Sequence, residues 1–124
     1  MAAATLDITV EQGSTFNKTI TLTDSLGAPI NLTGYTARAQ IRATPESATI
    51  IASFTVTVQA PPTAGILDWI MPAATTTTLV VDNTEASNPF KPTVRSYDLE
   101  IESGSGVVTR IFQGKAKIIP NVTR

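Results

Sequence analysis

The residues best placed to do chemistry are three carboxylates, Asp98, Glu100 and Glu102. A spacing of two puts all three on one face of an extended strand, with Tyr97, Leu99 and Ile101 on the other. Clustered carboxylates serve calcium sites and glycosidase acid pairs. Calcium loops, however, draw ligands from Asp/Asn-rich turns, and no such loop accompanies these residues. The chain has no histidine, and it has no cysteine. This removes thiolate and imidazole zinc sites, cysteine nucleophiles and every triad with a histidine base. The three acids therefore read as a solvated strand face. Neither enzymatic activity nor a cofactor or metal is expected.

The elements that would position these residues follow from alternation and turn chemistry. Leu6, Ile8 and Val10 alternate with polar neighbours, and after Glu11-Gln12-Gly13-Ser14 the pattern resumes with Phe16, Ile20 and Leu22. Two antiparallel strands are the simplest expectation. The stretch from Asp24 to Pro29 is dense in turn formers. A third strand carries Tyr35, Ala37, Ala39 and Ile41 on one face and Thr36, Arg38, Gln40 and Arg42 on the other. Ala52, Phe54, Val56 and Val58 define the next, which Pro61-Pro62 ends by removing backbone donors. Gly65 opens a strand with Leu67, Trp69 and Met71 on a shared face, which reads as core. Pro72 and the alanines and threonines after it could start one short helix. Residues Asp82 to Thr93 show no period and read as an exposed loop. The strand of Tyr97, Leu99 and Ile101, a turn at Ser103-Gly104-Ser105-Gly106, and a last strand from about Val107 to Ile119 complete the chain.

Seven or so short strands and at most one short helix predict an all-β fold. The expectation is a single domain over residues 1–124, an immunoglobulin-like sandwich of two antiparallel sheets, with a barrel left open. Composition agrees: threonine, favoured on pleated half-buried surfaces, is the commonest residue, and only 15% of residues are charged. Nine basic against ten acidic residues give a net charge of -1 without a one-signed run. That argues against nucleic acid as a partner. No apolar stretch approaches the roughly 20 residues needed to span a bilayer. Met-Ala-Ala-Ala leads straight into alternation instead of an export signal.

In such a sandwich the third strand neighbours the acidic one, which would set Arg38 and Arg42 beside the carboxylates. Arg110 conflicts with its pattern. A four-residue turn at Ser103 to Gly106 would put it opposite Leu99 on the inward face, so either a bulge rotates it out or it lies at the rim. Its functional reading is an interface anchor, and its plain one is a rim residue covering apolar surface with its stem. Asn88-Pro89-Phe90-Lys91-Pro92 sets an aromatic between two prolines, a stiff way to present a side chain. Phe90 and Lys91 are thus candidate interface residues, the alternative being that Phe90 caps the core.

Three stretches together carry a resemblance: Gln12-Gly13-Ser14-Thr15-Phe16, the run from Gly27 to Ala37 with Ile41-Arg42, and Tyr97 to Ile101. The run from Val108 to Gly114 and the closing Val122-Thr123-Arg124 extend it. The chain resembles small phage and prophage structural proteins related to the N-terminal domain of the baseplate upper protein family. That resemblance implies an immunoglobulin-like sandwich in a virion, assembled in the bacterial host cytoplasm. It also implies several symmetric copies contacting other virion structural proteins of the tail, baseplate or neck. The match stops at the end of the domain, which favours a small accessory or linking subunit. A head decoration protein and a carbohydrate-binding host-attachment module are the rival expectations.

Overall fold

A computed structural model describes residues 3–82 and 87–122. The alternation becomes strands in which every second side chain is buried. Strand β4 (Thr36–Arg42) buries Ala39 and Ile41, β5 (Ala52–Val58) buries Ala52 and Phe54, and β6 (Ile66–Met71) buries Leu67, Trp69 and Met71. β7 (Thr93–Glu102) buries Tyr97, Leu99 and Ile101. Before these come β1 (Ala4–Thr5), β2 (Ile8–Glu11) and β3 (Phe16–Thr21), and β8 (Val108–Ile119) comes last. Among the described residues, helix is confined to α1 (Ala73–Thr76) and a 3-10 turn at Pro62–Ala64.

The strands form one curled eight-stranded sheet in the order β1-β8-β7-β4-β5-β6-β3, with β2 also on β8. The curl runs through β5. Its first residues, Ala52 to Phe54, pair with β4, and its last four, Thr55 to Val58, pair with β6. A strand that changes neighbour halfway turns the sheet over on itself. Trp69 on β6 consequently meets Tyr97 on β7, two strands that are not adjacent in the sheet, with ring centroids 5.4 Å apart.

The expected pairing of the first two long strands is not found. β2 runs parallel to β8, from Ile8 opposite Ala116 to Glu11 opposite Ile119, and β3 runs antiparallel to β6. The turn between them is tied elsewhere. Gln12 N–H donates to the Ile119 carbonyl, and Gln12 Nε2 to the Leu79 carbonyl at 2.7 Å. A lone two-stranded ribbon would have left both apolar faces wet, whereas separate partners let Ile8 and Val10 reach the same core as Phe16 and Ile20.

The β7–β8 connection also differs from expectation. The turn spans Ser103 to Val107, closed by Ser103 N–H to Val107 O at 2.9 Å, so Glu102 faces Val108 and Glu100 faces Arg110. A bulge between Leu99 and Glu100 then absorbs Ile111, and Leu99 faces Phe112. Ile111 and Phe112 both reach the core while Arg110 turns outward. Of the loop expected over Asp82 to Thr93, residues 83–86 lie outside the described residues, as do Thr123 and Arg124 of the closing run and Met1-Ala2. Asp82 and residues 87–92 are exposed, but Thr93 is buried and begins β7. Its hydroxyl donates to Asp82 Oδ1 at 3.1 Å.

Two contacts hold the N-terminal stretch against the sheet. The Tyr97 hydroxyl donates to the Leu6 carbonyl. Leu6 also passes so close to Gly114 that a Cβ there would collide with the Leu6 backbone, which explains a glycine in the middle of β8. At the opposite end, fully buried Thr76 accepts from Gly13 N–H at 3.1 Å and donates to the Ser14 carbonyl at 2.8 Å, joining α1 to the β2–β3 turn. Valine at this position keeps the shape and strands both backbone groups. Thr76→Val should therefore lower unfolding free energy by about 2 kcal/mol or more, and Thr76→Ser by much less. Urea titration of both variants checks this; equal losses would mean that packing, and not the hydroxyl, matters.

Candidate functional site

The outer face of β4, β7 and β8 carries the charged residues. Register sets Arg38 opposite Glu100, and Arg38 Nε lies 3.0 Å from Glu100 Oε1. Arg110, rotated out by the bulge, places Nε 3.3 Å from Asp98 Oδ2 and donates through Nη1 to Gln113. The expected approach of arginine to the acids thus holds for Arg38, with an ion pair, and for Arg42 at longer range, where its charge favours the Asp98 carboxylate. Opposite Ser96 at the end of β4, Arg42 donates instead to the Ser47 carbonyl at 2.8 Å and to Gln40 Oε1 at 3.1 Å. It anchors the β4–β5 loop.

Between these pairs lies a cleft of about 500 Å³ lined by Gln40, Arg42, Ser96, Asp98, Arg110 and Gln113, among others. Its donors and acceptors are largely engaged with one another. Among the described residues, no three carboxylates converge where a metal ion could be held. Burial raises the Asp98 carboxyl above its ordinary range and neighbouring Glu100 adds to this, while Arg110, Arg42 and Arg38 pull it back. Tyr97, on the buried face of β7, is pushed up to about 12 by burial and by the Asp7 charge, so its hydroxyl stays protonated as the donor to Leu6.

Phe90 and Lys91 lie elsewhere. They precede the start of β7, whereas Arg110 faces Glu100 near its other end, about 20 Å away along the strand. The structure therefore separates Arg110 from the other two candidates. Phe90 is 52% exposed, so it does not cap the core. Beside it, Gln12, Leu79, Val80, Val81, Pro89 and Pro120 line a groove of about 300 Å³. Val80 and Val122 are 70% and 71% exposed, and Phe90 and Val122 each follow a groove-lining residue in the chain. Sequence reasoning missed Val80 and Val122. The only signal for them was apolar residues beside prolines and asparagines, which does not reveal that separate segments meet.

Compared with protein-family models and with curated proteins, the chain matches none. Among the described residues no helix is long and apolar enough to cross a membrane.

A raised folded-state carboxyl adds stability at low pH that is lost as pH rises through its folded value. Asp98 should therefore titrate above the ordinary aspartate value of about 3.9. Arg110→Gln, which removes a charge favouring the carboxylate, should raise it further. Side-chain carboxyl NMR across pH 2–8 reads both. A value at or below the ordinary one, or a downward move in Arg110→Gln, would overturn this electrostatic account.

Proposed function

We propose that the chain is a non-enzymatic structural subunit of a phage virion, in the tail, baseplate or neck, that links or decorates neighbouring subunits in a symmetric assembly. The resemblance supports the virion setting, since it spans nearly the whole sequence. The observation that carries the assembly role is the apolar end. Val80 lines the groove, and Phe90 and Val122 each follow a residue that does, so three large exposed apolar side chains gather at one concavity, while Leu26, Ile50, Ile51, Val94, Val107 and Val108 are exposed without lining it. Exposed apolar groups gathered around a concavity mark contact sites more often than scattered ones do.

The curled sheet is read as an immunoglobulin-like sandwich, with β2, β8, β7 and β4 in one wall and β3, β6 and the second half of β5 in the other. The change of neighbour within β5 and the contact of Trp69 with Tyr97 support it.

Mass spectrometry of purified particles tests the role, with the wild-type protein expected at a fixed stoichiometry. Phe90→Ser and Val80→Ser should leave the melting temperature nearly unchanged, since neither side chain is buried, and should deplete the subunit from particles. Absence of the wild-type protein from particles would reject the virion reading. A specific signal on a glycan array would move the assignment to a carbohydrate-binding module.

A further inference from the structure

The backbone hydrogen bonds of β6 determine which groups of β3 are left over. Antiparallel strands bond through alternate residues. Gln59 N–H donates to the Ile66 carbonyl at 2.9 Å, so Ile66, Asp68 and Ile70 face β5. Leu67, Trp69 and Met71 then face β3, where they meet Ile20, Lys18 and Phe16. The bond from Leu22 N–H to the Gly65 carbonyl, 2.7 Å, continues this phase at the strand end. The N–H and C=O groups of Asn17, Thr19 and Thr21 consequently point away from the sheet. β3 is the last strand in the order and pairs with nothing but β6 among the described residues.

Such an edge is normally blunted by proline, a bulge or charge. β3 has neither proline nor bulge, and its outward side chains are Asn17, Thr19 and Thr21. Its one charge, Lys18, sits on the inner-facing side opposite Trp69, and as an inward-pointing charge it is the single device of this kind that β3 carries. The other edge is different. Thr9 and Glu11 of β2 are exposed, as is Asp7 just before it, so a second copy meeting this edge would bring like charges together.

We propose that β3 is a self-association edge, pairing antiparallel with β3 of a second copy across a two-fold axis at Thr19. The choice of a second copy comes from the register. With the axis there, Asn17 of one copy faces Thr21 of the other, Thr19 faces Thr19, and Thr21 faces Asn17. All three outward-bonding residues then meet as hydrogen-bonded pairs, and the side chains beside them are neutral amides and hydroxyls, which pair well across strands. The two Lys18 side chains stand diagonal to one another, each opposite Ile20. Asp7 and Glu11 line the same groove as Lys18, of about 360 Å³. The pairing rests on the assembly reading in requiring contact between copies; it requires no virion.

The absence of cysteine makes a clean test. Hydrogen-bonded antiparallel residues lie about 5.5 Å apart at Cα, within disulfide range. Thr19→Cys should form a covalent dimer in air much faster than Thr21→Cys, whose partner residue is Asn17. Thr19→Pro removes the two hydrogen bonds at the axis without touching the bonds to β6. It should weaken dimerisation roughly thirtyfold in sedimentation equilibrium, with circular dichroism unchanged. Lys18→Thr should strengthen it. Because a strand edge buries little area, the wild type is measured at up to about 1 mM protein. Equal cross-linking of the two cysteine variants, or a dimer unaffected by Thr19→Pro, would overturn the edge assignment while leaving assembly through another surface standing. A wild-type monomer at 1 mM that takes up an added extended peptide would replace the second copy by a foreign strand. A dimer that behaves as expected but is absent from particles would sink the virion reading alone.

Discussion

Burial of Trp69 is the constraint on which the rest of the structure depends. Its indole is wholly removed from solvent and meets Phe16 from β3, Phe54 from β5 and Tyr97 from β7, with centroid separations of 5.2 to 5.4 Å within this group of rings. These four rings come from four strands on both sides of the curl. A flat sheet could not bring β6 and β7 into contact, so the group forms only if β5 changes partner. The indole N–H has no hydrogen-bond partner among the described residues. Leaving it unpaired costs about 1–3 kcal/mol. Burying an aromatic of this size returns about 4–6 kcal/mol, and each ring pair adds about 0.5–1.5 kcal/mol. Burial wins, and an unpaired donor is tolerated at the centre.

The ring group also organises the periphery. Tyr97 packs on Trp69 and directs its hydroxyl to the Leu6 carbonyl, so the innermost contact and the fastening of the N-terminal stretch share one side chain. Gly114 lets that stretch approach β8 closely enough for the bond. From there β2 continues along β8, and Gln12 and Thr76 secure the turn that carries the chain across to β3. The separation of β2 from β3 thus follows from contacts made by residues distant in sequence.

That non-locality explains what could be read from the sequence and what could not. The strands around Ala39, Phe54, Trp69 and Leu99 were legible because period-two alternation is local and their inner faces are buried. The short helix after Pro72 was legible from its proline. Pairing partners were not: Leu6, Ile8 and Val10 look the same whether they face a hairpin partner or β8. Arg110 is the instructive case. Its conflict with the pattern was visible, and one of its two resolutions was a bulge, but the bulge's place at Ile111 depends on a turn one residue longer than its Ser-Gly-Ser-Gly signature. The salt bridge of Arg38 with Glu100 could be anticipated from strand adjacency. The groove at Val80 and Pro89 could not, because it is built from segments with no shared local signal.

The two outer surfaces differ in what it costs to cover them. On β4, β7 and β8 the charges are arranged as pairs, with Arg38 on Glu100 and Arg110 on Asp98. Docking a partner there would strip water from four charges that already gain little from each other while exposed. On β3, β6 and β5 the outward rows read Asn17-Ile70-Thr55 and Thr19-Asp68-Thr57, with Asp68 the one charge, held by Thr19 and Gln59 side chains. Hydroxyls and amides on a strand edge lose less on desolvation and recover it in cross-strand bonds. Charge is denser on β4, β7 and β8 than on β3, β5 and β6, where Asp68 and Lys18 are the charged residues, so covering the latter strands costs less desolvation.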